Sequence, residues 1–199
     1  SKQTKEVASK KLVEIVSYIA SPTWLKDKEP VLKAANDKAG FKVEGKQFKQ
    51  QLDDFQAESL TRVYASMKKV GGSAVVKYCL GVAADPKKDD KGRQTALAAL
   101  EGHIDQRDDA SIKALFALAR GEKTPKVLVD MAFRRIKEMP REKVATDLYA
   151  FMSNKEWLIR RLASATILAM SKVEHIEEFL TKLGAVTDKS NFNMVEART

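Results

Sequence analysis

Helix breakers fall at nearly even intervals along most of this chain, and that spacing restricts its fold more than any other feature. Gly71-Gly72, the charged run at 85–92, Gly121 with Pro125, and Met139-Pro140 cut residues 73–183 into segments at 73–84, 92–105, 109–120, 125–138, 142–152, 156–171 and 173–183. Apolar residues recur in them every three to four positions, the period of an amphipathic helix rather than a strand. Only nine glycines and five prolines occur in 199 residues, so helix is favoured over a turn-rich β architecture. Equivalent apolar positions also repeat at longer range. Leu118 and Phe151 are 33 positions apart, Ile136 and Leu168 are 32 apart, and Leu100 and Ile136 are 36 apart. Periods in this range mark stacked helical hairpins, each needing its neighbours to bury its apolar stripe. The expected fold is all-α, an α-solenoid, with an irregular helical bundle as the competing arrangement.

The first third reads as helices without that repeat. Residues 4–20 form an amphipathic helix through Val7, Leu12, Ile15 and Ile19. Ser21-Pro22-Thr23 stops it, and Thr23 is expected to cap a second helix starting at Trp24, divided at Pro30 and ending at Gly40. Residues 46–70 contain neither proline nor glycine and predict the longest helix. The expected organisation is a helical cap over 1–72 continuous with the array, helical hairpins over 73–183, and a tail over 184–199. In that tail, Phe192 and Met194 are expected to fold back over the open end of the last hairpin.

One joint carries a family resemblance. Ser153-Asn154-Lys155-Glu156 is a polar turn leading into Trp157-Leu158-Ile159-Arg160-Arg161 and then the small residues Ala163, Ser164 and Ala165. This resembles the turn within a HEAT repeat, where an Ile-Arg or Val-Arg pair opens the second helix. The preceding joint has Leu128 where that arginine would stand, and the one before has Arg93 near the matching place after a long loop. The resemblance implies an ARM/HEAT-like stack with an inner and an outer helix layer, most often used to bind proteins. It also implies that Arg160 hydrogen-bonds neighbouring turns, which leaves Arg161 as the freer cation. Trp157 beside two arginines is further similar to the HEAT-like alkylpurine DNA glycosylases, but Trp24-Leu25-Lys26-Asp27 lies in the wrong setting for that family's aspartate, so no catalytic residue carries over.

The formal charge is +9, and it is unevenly placed. Residues 1–50 hold eleven lysines, no arginine and six acids, whereas acids and bases alternate closely further on. Catalytic constellations are not apparent. His103 and His175 have no second His or Cys at a metal-binding spacing, and Cys79 sits between Tyr78 and Leu80 in an apolar segment, as a core cysteine does. Asp53-Asp54, Asp89-Asp90, Asp108-Asp109 and Glu177-Glu178 are adjacent pairs, and neighbouring helical residues point about 100° apart. Asp108 reads as a helix cap. Gly71-Gly72 lacks the Lys-Ser/Thr of a phosphate loop, so no cofactor or metal is expected. A lone cysteine and a start at Ser1, read as a trimmed N-terminus, fit cytoplasm or periplasm equally.

The functional expectation is a non-enzymatic scaffold or adaptor that binds a protein or peptide, with Phe133, Arg135, Trp157 and Arg161 as its anchors. Trp157 has a competing role as a packing plug between hairpins. The alternative partner is nucleic acid, held by a ridge of Arg134, Arg135, Arg160 and Arg161. A third reading, an envelope-anchored structural component, rests on the trimmed start and the lysine-rich first third.

Overall fold

The computed structural model describes residues 1–105, 108–121 and 123–184, and within them all regular structure is helical. Ten α-helices and one short 3-10 turn occur, with no strand among the described residues. The chain divides into two compact units, Ser1–Tyr78 and the part from Cys79 onward.

The first unit is built on three helices, α1 (Lys2–Ile19), α2 (Pro22–Ala39) and α3 (Gly45–Val70), each packed against the other two. Its core joins Ile19, Trp24 and Leu52, with Leu25, Leu32, Leu60 and Val63 around them. Trp24 also meets the ring of Phe55 at 5.3 Å. Polar ties reinforce the packing: Tyr18 donates to Asp27 at 2.5 Å, the Asn36 and Gln51 amides exchange hydrogen bonds at 2.8 and 3.2 Å, and Gln56 donates to the carbonyl of Ile19 at 2.6 Å.

Two expectations for this unit need correction. Ser21, not Thr23, caps α2: its hydroxyl accepts from the Trp24 amide, and Pro22 occupies the first turn, where its missing N–H costs nothing. Pro30 does not divide the helix. Trp24 and Leu32 are anchored in the core on either side of it, and the helix runs uninterrupted through it despite the lost hydrogen bond.

Helix α4 (Ser73–Ala84) begins without a cap of its own, because Gly72 precedes it. Side chains of α1 supply the missing acceptors. Glu6 accepts from the Ser73 amide and hydroxyl, and the Ser9 hydroxyl accepts from the Val75 amide at 2.9 Å. Gly72 has a φ of 97°, and a Cβ there would lie 2.6 Å from that of Ser9, so only glycine permits this approach.

The second unit continues with α5 (Asp90–Ala99), α6 (Asp109–Arg120), α7 (Lys126–Ile136), α8 (Arg141–Phe151), α9 (Trp157–Met170), the 3-10 turn Val173–His175, and α10 (Ile176–Gly184). The helix expected over 92–105 is shifted and shorter. Asp89 caps it by accepting from the Gly92 amide, and past Ala99 the chain goes into turns that include Gly102 at a φ of 71°. Asp108 caps α6 through the Ala110 and Ser111 amides, as its position suggests.

Within this unit α7 packs against α5, α6 and α9, and α8 packs against α9. Side chains also link α6 to α8 and α8 to α10. Lys143 pairs with Asp109 at 3.0 Å, Arg120 with Asp147 at 3.2 Å and Arg141 with Glu178 at 2.5 Å, while the Phe116 and Phe151 rings meet edge-on at 5.4 Å. Phe151 also meets Phe133 edge-on at 6.0 Å and lies at the centre of the core with Leu115, Leu128, Ile136 and Leu148, all buried. Ala96, Ala99, Ala132 and Ala163 are buried where helices approach closely, whereas Ala165 and Ala169 face solvent. The expected placement of Phe192 and Met194 lies outside the described residues.

Candidate partner-binding surface on α9

The site begins in the turn before α9. Asn154 closes it by accepting from the Glu156 amide at 2.8 Å, a local side-chain turn that asparagine favours. Arg160, one helical turn further on, reaches back and donates from one guanidinium nitrogen to the carbonyls of Asn154 at 2.8 Å and Lys155 at 3.0 Å. It is buried, so these charge-assisted bonds hold the turn against the helix it opens. The arginine is therefore occupied in shaping the entry to α9.

That entry sets Trp157 in the first turn of α9 with 46% of its surface exposed. The Arg161 guanidinium stacks over the indole at 5.3 Å from the ring centroid. The same stripe continues through Ala165 to Leu168, 39% exposed, at spacings of four, four and three residues, which keeps these side chains on one face. The opposite face carries the buried Ile159, Ala163 and Ile167. Helix α9 contains no acidic residue, and no carboxylate among the described residues pairs with Arg161. The stripe is thus an apolar strip with one stacked cation, suited to an apolar side chain next to a negative charge.

The remaining anchor candidates are placed differently. Phe133 is 2% exposed, against Phe151, and is a core residue with no face for a partner. Arg135 is mostly buried and pairs with Glu138 at 2.9 Å. Arg134 is exposed but pairs with Asp130 at 2.8 Å. With Arg135 and Arg160 inside and Arg134 neutralised, the four arginines do not form an exposed ridge. Trp157 is about half covered, which leaves part of the indole packed and part facing solvent. Leu168 was not among the anchors read from the sequence, although its position three turns from Trp157 carries the signal.

Cys79, His175 and Tyr149 are each buried or hydrogen-bonded. The Cys79 thiol is buried, and burial pushes its pKa up to about 12. The His175 imidazole accepts from the Lys172 amide at 2.9 Å. Burial raises the Tyr149 phenol, partly offset by Arg141, which donates to it at 2.8 Å. Among the described residues no group of three or more His, Cys, Asp or Glu is placed to hold a metal ion, and no helix is long and apolar enough to cross a membrane. Comparison with protein-family models, curated proteins and solved structures finds no match to this chain.

Proposed function

We propose that the chain is a HEAT-like helical solenoid acting as a non-enzymatic scaffold, and that it captures a protein or peptide segment on the exposed stripe of α9. The observation that carries this reading is Trp157, a half-exposed indole with Arg161 stacked on it and Leu168 along the same face. Large aromatics and arginines supply most of the energy in protein interfaces, and a ring already fixed by a neighbouring cation loses little entropy on binding. The repeat reading draws support from the linking of α5 to α7 to α9 by packing and of α6 to α8 to α10 by side chains. The buried Arg160 has a structural role, as the HEAT resemblance implies, although its bonds to the Asn154 and Lys155 carbonyls are to its own turn rather than to a neighbouring one.

A peptide library displayed on phage and selected against the intact chain tests the proposal. Enriched peptides should combine an apolar or aromatic residue with a carboxylate, and Trp157→Ala or Arg161→Glu should weaken them about tenfold or more with helical content unchanged. Failure to enrich any peptide, or equal affinity for both variants, refutes it.

A further inference from the structure

We propose that the connection between α2 and α3 is a docking point for an anionic lipid surface. Helix α2 ends in a Schellman turn: Gly40 adopts a φ of 76°, its amide donates to the carbonyl of Asp37, and the Phe41 amide donates to that of Asn36. An apolar residue in the position of Phe41 ordinarily folds onto the helix residue whose carbonyl it bonds. Here that residue is Asn36, whose amide is committed to Gln51, so Phe41 has no apolar seat and stands 62% exposed. It is the most exposed aromatic ring among the described residues, and covering it would gain the free energy of removing that apolar surface from water.

The surroundings of Phe41 specify the cover. Lys38, Lys42, Lys46 and Lys49 lie close to it in sequence and are all exposed, and none forms an ion pair among the described residues. Asp37 and Glu44 are the only acids between 37 and 50. Lysine is a hydrated point charge on a long apolar stem, which suits a plane of diffuse negative headgroups. Phosphate recognition on nucleic acid favours the planar fork of arginine, and the first fifty residues contain none. A phenylalanine ring among lysines can enter the headgroup region while the ammonium groups stay in water.

Cosedimentation of the intact chain with phosphatidylcholine vesicles, with and without phosphatidylserine, tests this. Binding should require phosphatidylserine and weaken as salt rises. Since each lysine near such a surface adds about fivefold, Lys42→Glu with Lys46→Glu should cost at least about 25-fold, and Phe41→Ser about tenfold. All three residues are exposed, so helical content should be unchanged. The proposal is overturned if the intact chain ignores phosphatidylserine vesicles, or if Phe41→Ser binds them as well as the parent. It is also overturned if a single-stranded oligonucleotide binds more tightly than the vesicles and depends on the same residues, which would assign the patch to nucleic acid.

Discussion

Trp157 and Phe133 are both large aromatic residues in the second unit, yet substituting them should have unequal costs. Phe133 is enclosed by the core beside Phe151, so Phe133→Ala should leave a cavity and cost about 3–5 kcal/mol in urea denaturation. Trp157 loses its stacking with Arg161 and the packing of about half its surface, so Trp157→Ala should cost less, about 1–2 kcal/mol. The opposite ranking would mean that the α9 stripe is structural. Cys79 offers a second check at this scale. With its thiol buried and its pKa near 12, almost no thiolate exists at pH 8, and a thiol reagent should label it only after denaturant is added. Rapid labelling of the folded protein would show that the α4 segment opens readily.

Among the elements, the start of α4 is the most instructive because its cap comes from another helix. Ser73 hydrogen bonds hold the Glu6 carboxylate below its ordinary value of 4.5. A depressed carboxylate stabilises the fold fully above the ordinary value and ceases to do so as pH falls through its own lower value. Protection of the Ser73 amide against hydrogen exchange, corrected for intrinsic rate, should therefore decline below about pH 4.5. Glu6→Gln should abolish that pH dependence, and persistence of the decline in this variant would place its origin elsewhere. Ser9→Ala should cost about 1–3 kcal/mol in chemical denaturation, since it leaves the Val75 amide without its acceptor in a buried place. None of this was legible in the sequence, because a cap supplied from 66 residues away has no local signature. Local signals served well elsewhere. Asp108 announces α6 through an acceptor two and three residues from the amides it caps, and the breakers at Gly71, Gly121 and Pro140 mark real helix ends. They failed where packing outweighed propensity, as at Pro30, and where two hydroxyls competed for one cap, as at Ser21 and Thr23. The site was legible in the same measure: Trp157 and Arg161 are fixed by the turn motif, but whether Phe133 and Arg135 face inward depends on neighbours that no local spacing records.

At the scale of the whole molecule, the sequence separates two kinds of surface along its length. The first fifty residues concentrate lysine, of which Lys11 and Lys33 pair with Glu14 and Glu29, whereas exposed charges of the later helices include the pairs Arg120–Asp147, Arg134–Asp130 and Lys143–Asp109. On the two proposals made above, long-range attraction to a polyanionic surface would belong to the first unit and short-range apolar capture to α9. Exposed charges act over a Debye length of about 10 Å at 0.1 M salt, while burial of an indole is nearly indifferent to salt over the same range. The two activities should accordingly come apart in one set of titrations on the intact chain. Raising salt from low to physiological levels should reduce vesicle binding by at least about tenfold and peptide binding far less. Lys42→Glu with Lys46→Glu should affect only the vesicles, and Trp157→Ala only the peptide. If either variant weakens both ligands in parallel without loss of helical content, a single surface serves both, and the division of labour drawn from the charge distribution is wrong.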